Sequence, residues 1–247
     1  MKANRIYAFG VHAAISLLLL VPCFFVVYYL WYPQGMADLL GVSLVFSLFA
    51  GASLLIWPFF TALVIKSDKR EQRRDHAILW SLQGILTALA LYFFYSSRVV
   101  WAVYTIDLFE IVREKDIVYS DTVAMQAPYR VGMLQPFQWR GASFSEDEAL
   151  GKQQRNDDLD GISVARRVEA LQDITDKIPQ MQRFAQPMES LLAFNDENAV
   201  NAVKEKYPHA THWLGIKGFV RDAVVLTDQD FSFFTIVLLE PWDKGNI

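Results

Sequence analysis

Three stretches in the first 98 residues run without a charge for long enough to cross a bilayer. The first apolar run extends from about Ile6 to Trp31, with Ala13–Leu30 free of charge. The second, Leu39–Ile65, is 27 residues long, and the third, Ala77–Tyr95, is 19. A helix rises ~1.5 Å per residue, so the third run spans roughly 28 Å, about one hydrocarbon core. The second is long enough to tilt. Each run ends in a breaker or a charge: Pro33–Gly35, Lys66–Asp68 and Ser96–Arg98. These runs exclude a wholly water-soluble chain. A cleaved leader is the competing reading of the first run. Its apolar stretch exceeds the ~7–15 residues of such a leader, no A-x-A site follows, and Tyr28, Tyr29, Trp31 and Tyr32 occupy the place of cleavage.

The remaining 149 residues are of ordinary soluble composition and exclude a pure helical bundle. Residues 1–98 carry eight Lys/Arg against four Asp/Glu, whereas residues 99–247 carry fifteen against twenty-three. An acidic soluble part argues against nucleic acid as a partner, which needs clustered positive charge. The expected organisation is a three-helix transmembrane bundle over 1–98, with spans near 6–31, 39–65 and 77–95, then a small α+β domain over 99–247.

Basic residues set the orientation. Lys2 and Arg5 precede the first span, no basic residue lies in Trp31–Asp38, and Lys66, Lys69, Arg70, Arg73 and Arg74 follow the second. This places the N-terminus and the second loop in the cytoplasm and residues 99–247 on the far side. In a Gram-negative cell the chain is then a multi-pass inner-membrane protein with a periplasmic domain.

Within that domain, Val99–Val112 reads as one strand. Ser120–Gln126 suggests a helical turn, Val131–Phe144 irregular strands, and Glu146–Gly161 an exposed charged loop. Val164, Val168, Leu171 and Ile178 recur at helical spacing, which predicts an amphipathic helix ended by Pro179. A second helix is expected over Pro187–Phe194, and a third, capped by Asp196, runs to Lys206. Trp213–Phe219, Ala223–Thr227 and Phe231–Glu240 read as strands.

Signs of chemistry are sparse. Asn156–Gly161 resembles the start of a calcium loop, but the position requiring a bidentate Glu is Arg167. His209 and His212 form an H-x-x-H pair without the third ligand that zinc needs. Cys23 lies in an apolar run, where a thiolate is disfavoured. No hydrolase, nucleotide-binding or metalloprotease motif occurs. The expectation is a non-enzymatic protein without a cofactor.

The spans hold mild polar groups. Ser43, Ser47 and Gly51 fall at four-residue steps, a stripe that lets another helix approach closely. Gln83 and Thr87 share a face of the third span. Either set packs against the chain's own helices or receives a partner's transmembrane helix. No charged residue lies deep in a span, which argues against ion transport, and His12 reads as interfacial.

The segment order resembles the TfpX/TfpZ family of type IV pilin accessory proteins. The resemblance rests on Arg5–His12, Leu30-Trp-Tyr-Pro33, Pro58–Ile65, Asp75, Gln83, Tyr92, Arg98 and Val103–Val112 with Asp107-Leu-Phe109. Trp213–Lys217 and Pro241-Trp242 extend it. Three positions depart from the family pattern: Ser53 stands in place of an acidic residue, Trp57 of a glycine and Val99 of a proline. The resemblance implies a non-enzymatic protein that binds a cognate pilin and tunes pilus assembly or retraction. The alternative partner is a secreted toxin, which a membrane-tethered acidic domain would neutralise as an immunity protein. An enzyme or sensor with an unrecognised site is the third reading.

Overall fold

The computed structural model describes residues 2–65, 69–119 and 129–243. Three helical segments are long and apolar enough to cross a membrane, at Asn4–Trp31, Val42–Leu63 and Lys69–Ser96. The first is α1 (Lys2–Phe25) continued by a π-helical stretch, Val26–Trp31. A short helix, α2 (Met36–Leu39), follows a turn in which Gln34 and Gly35 both have positive φ. The second segment is α3 (Val42–Gly51), a π-helical stretch Ala52–Ile56, and α4 (Trp57–Leu63). The third is α5 (Lys69–Ser96), unbroken for 28 residues, or ~42 Å. Both π-helical stretches lie close in sequence to a proline, Pro22 and Pro58, where a missing N–H disturbs the ordinary hydrogen-bond register.

Only a two-residue break separates α5 from β1 (Val99–Tyr104), every residue of which is buried. β2 (Phe109–Arg113) returns antiparallel to it, with Tyr104 opposite Phe109. The expected single strand Val99–Val112 is therefore a hairpin, turned by Thr105–Leu108. After it come β3 (Gln138–Ala142), α6 (Glu148–Leu159), β4 (Leu171–Gln172), α7 (Ile178–Phe184) and β5 (Gln186–Pro187). The chain closes with α8 (Glu197–Lys206), β6 (His212–Lys217), β7 (Ala223–Thr227) and β8 (Phe234–Val237). The strands form one mixed sheet in the order β4-β3-β1-β2-β6-β7-β8, with β5 paired to β6.

Strand direction decides which loops face the spans. β1 leads away from α5, and β3 runs parallel to it. β2 returns, and β6 is parallel to β2. β7 leaves again and β8 returns. The segment before β3, the turn after β6 and the end of β8 thus all lie at the helical end of the domain. The β1–β2 and β7–β8 turns lie at the opposite end.

The bundle and the sheet share one core. Val27, Trp31, Tyr32, Met36, Leu39 and Phe94 belong to the same buried cluster as Tyr104, Phe109, Leu214, Ile216 and Val225. The loop after the first span carries no basic residue, so it can sink beneath the sheet. Met36 and Leu39 are fully buried, each worth ~1.5–3 kcal/mol relative to exposure. Polar ties reinforce the seam. The Tyr32 hydroxyl donates to the Phe94 carbonyl at 2.9 Å. The Gln34 amide oxygen accepts from Ile236 N at 3.0 Å, engaging a backbone donor of the edge strand β8. The amides of Phe219 and Val220 both donate to the Leu39 carbonyl, at 3.0 and 2.8 Å.

Three sequence expectations need correction. Glu146–Gly161 is mostly helix, because the Asp147 carboxylate accepts from Leu150 N at 2.9 Å and caps α6. The helix also packs: Gln154 is buried and accepts from Ser145 N at 2.7 Å. Val164–Ile178 is not an amphipathic helix. It is a chain of single turns, Val164–Arg166, Val168–Ala170 and Ile174–Lys177, interrupted by β4. Its apolar side chains reach the core from irregular backbone, and Ser163 and Asp173 cap local turns that compete with a continuous helix. Pro179 opens α7 rather than ending a helix, since a first-turn N–H has no intrahelical partner to lose. Within Pro187–Phe194 the structure has a 3-10 helix, Met188–Ala193. Asp196 caps α8 as expected, accepting from Asn198 N at 2.9 Å. The turn expected at Ser120–Gln126 lies outside the described residues.

Candidate functional site

His12 is not interfacial. It is 1% exposed and is the centre of a polar cluster inside the bundle. Its Nε2 lies 2.6 Å from Gln83 Oε1, and Thr61 Oγ1 lies 2.7 Å from its Nδ1. Gln83 Nε2 donates to Ser16 Oγ at 3.1 Å, which leaves Oε1 as the acceptor. The arrangement therefore places a proton on His12 Nε2, which donates to Gln83, and sets the Thr61 hydroxyl against Nδ1. Trp80 stacks on the imidazole at 3.9 Å between centroids and 10° between planes.

Helical spacing builds this cluster. His12 and Ser16 are four apart on the first segment, and Trp80 and Gln83 three apart on the third. Thr61 comes from the second, so one hydrogen-bonded thread ties all three segments. Such bonds contribute ~0.6–2 kcal/mol each in a membrane setting.

The five residues singled out from the sequence fall into two groups, Gln83 and Thr87 on one cleft and Ser43, Ser47 and Gly51 on the second segment. Gln83 is buried, and its amide is satisfied by His12 and Ser16. Thr87 borders, together with Gln83, a cleft lined also by Ser16, Cys23, Phe49 and Ser53, with a cavity volume of about 20 Å³. That holds about one water and no side chain. Ser47 faces outward, while Ser43 and Gly51 are half-buried. The Ser47 hydroxyl is exposed and donates to the Ser43 carbonyl at 2.8 Å, and a Cβ on Gly51 would meet nothing within 4 Å. The small-residue stripe is thus open at Ser47 and partly covered at Ser43 and Gly51.

At the junction, the buried Arg98 guanidinium donates to the Tyr95 carbonyl at 3.1 Å and the Val131 carbonyl at 3.2 Å. It lies over the Tyr95 ring at 4.1 Å and pairs with Glu114. Burial lowers its pKa, opposed by the Tyr95 contact.

A second buried cation, Lys177, sits in the domain and is 5% exposed. Its Nζ donates to Ser143 Oγ at 2.8 Å, Gln180 Oε1 at 3.1 Å and the Thr105 carbonyl at 3.5 Å. Burial pushes its pKa down. A serine beside a lysine is the outline of a nucleophile and its base. Here three neutral acceptors surround the ammonium, which suits a held charge rather than a base awaiting a proton.

The remaining candidates are structural. Asp157 pairs with Arg167, so the acidic tract read as a calcium-loop start ends α6 and engages a guanidinium. His209 meets the Phe233 ring at 4.5 Å and His212 the Phe231 ring at 6.3 Å. Among the described residues no three His, Cys, Asp or Glu side chains group as metal ligands do. The site thus defines the chain as one with three membrane-crossing-competent helices, pinned by a buried polar thread and continuous with a mixed-sheet domain. No protein-family model, curated protein or solved structure matches it.

Proposed function

We propose that the chain is a non-enzymatic accessory protein of the bacterial inner membrane that binds a type IV pilin and modulates pilus assembly or retraction. Its N-terminus lies in the cytoplasm and its sheet domain in the periplasm, as the basic loops require. A pilin awaiting assembly offers one apolar helix in the membrane and a globular head outside it. The observation that carries the reading is the shared core of bundle and sheet, which presents a membrane face and an aqueous face as one body. The stripe of Ser43, Ser47 and Gly51, open at Ser47, suits close approach of the pilin helix. The acidic domain selects the head by charge.

The test is purification of the C-terminally tagged protein from its native host in mild detergent. Recovery of a pilin in near-equal amount supports the reading. Recovery of a secreted toxin without pilin replaces it with the immunity function, and recovery of neither under chemical crosslinking overturns both.

A further inference from the structure

Two exposed apolar loop tips lie at the helical end of the domain. Met133 and Leu134, 55% and 69% exposed, precede β3. Phe219 and Val220, 74% and 64% exposed, follow β6. β1 and β2 separate β3 from β6 in the sheet, so the tips lie on either side of the strand that leaves α5.

Each tip is tied to the end of a membrane-crossing-competent helix. Trp31, the last residue of the first segment, donates from Nε1 to the Met133 carbonyl at 2.9 Å. Phe219 and Val220 hang from the Leu39 carbonyl, and a Cβ on Gly41 would meet Val220 Cγ2 at 2.9 Å. Gly41 immediately precedes α3. These ties set the depth of both tips at the helix ends, where a bilayer surface must lie if the helices cross one.

Basic groups mark the same level. The Arg113 guanidinium, already paired with the Asp116 carboxylate, lies 5.5 Å from the Phe219 ring centre. Lys115 Nζ lies 5.7 Å from the ring of Phe93, in the last turn of α5. Arg130 is exposed three residues before Met133. Aromatic and aliphatic tips flanked by cations are the pattern of a surface that enters the headgroup region beside anionic phosphates.

We propose that Met133–Leu134 and Phe219–Val220 insert into the lipid leaflet on the domain side and seat the sheet on the bilayer at two points. The partner surface is lipid, and its phosphates face Lys115 and Arg130. Two anchors on either side of one tether add lipid contacts to the shared core that already holds the domain on the helices. Any face it offers to a protein partner is then held at a fixed angle to the membrane. The proposal rests on the helices crossing a bilayer and is independent of who the partner is.

The test uses full-length protein in vesicles of phosphatidylethanolamine and phosphatidylglycerol. On a Cys23→Ser background, nitroxide labels are placed singly through Leu134→Cys, Phe219→Cys, Gln229→Cys and Leu48→Cys. Gln229 is exposed in the β7–β8 turn at the far end of the domain, and Leu48 is exposed seven residues into the second segment. The readout is the ratio of relaxation by oxygen to relaxation by a water-soluble nickel chelate. The expected ratio at 134 and 219 is several-fold above that at 229 and approaches that at 48. Ratios at 134 and 219 equal to that at 229, with 48 reading as lipid, overturn the anchors while leaving the spans intact. Insertion of one tip alone overturns the two-point seat. An aqueous reading at 48 overturns the spans themselves.

Discussion

His12 and Gln83, 71 positions apart, meet at 2.6 Å inside the helical bundle and hold the first and third segments in register. Each has a second partner on the same thread, Thr61 for the ring and Ser16 for the amide. Removal of either member therefore strands two neighbours.

Gln83→Leu keeps the volume and removes the amide. The expected cost is ~1–2 kcal/mol, from the lost bonds to His12 and Ser16. Thermal unfolding in detergent should show a midpoint lower by ~2–8 °C for a chain of this size. An unchanged midpoint would mean that the cluster contributes no stability.

Arg98→Ala leaves the Glu114 carboxylate and the Val131 carbonyl without the guanidinium at the covalent link from bundle to sheet, while the Tyr95 carbonyl keeps its bond from the residue 98 amide. Arg98 is buried but Glu114 is 34% exposed, so the expected cost lies below the ~3–5 kcal/mol of breaking a fully buried pair. The variant should lose the sheet's protection from proteolysis before that of the helices. Arg98→Lys should recover part of the loss, since an ammonium can meet Glu114 but cannot also span both carbonyls.

The burial of Lys177 makes stability depend on pH. Its folded pKa is lowered from the ordinary lysine value, so between the two values the unfolded chain binds the extra proton. Stability then rises with pH across that alkaline window, and the full penalty is present below the folded value. Lys177→Met should flatten this alkaline rise in unfolding midpoint. A rise of equal slope in the variant would assign it to other groups.

Gly218 lies where a Cβ would come 1.9 Å from the Arg221 carbonyl oxygen. Gly218→Ala must therefore displace backbone in the β6–β7 turn, at an expected cost of ~1–3 kcal/mol. Amide exchange should accelerate at Phe219 and Val220, whose bonds to Leu39 depend on that turn.

Ser47→Leu tests the open stripe. Ser47 is exposed and bonds only within its own helix, so the unfolding midpoint should stay within ~0.5 kcal/mol of the unsubstituted protein. Under the pilin reading, recovery of pilin should fall several-fold. Undiminished recovery would move the contact to another face.

Features that depend on neighbouring residues were legible without coordinates. The charge-free runs located all three long helices, and Asp196 marked the start of α8. Asp147 carried the same signal for α6, but the density of charge in 146–161 hid it. The spacing of Val164, Val168, Leu171 and Ile178 misled, because buried positions on single turns can fall at helical intervals by coincidence. Pro179 was ambiguous for a related reason: a proline either ends a helix or opens one, and only the following residues' packing separates the two.

Hydropathy is a sum over adjacent residues, so the order of amino acids alone imposed three long apolar helices and an aqueous domain after them. The pairing of His12 with Thr61 and Gln83, the burial of Met36 and Leu39 under the sheet, and the outward turn of Ser47 were decided by the fold. Each depends on helix rotation and strand order. Those are fixed only when residues far apart in the chain bury their apolar surface together and must satisfy the polar groups buried with it.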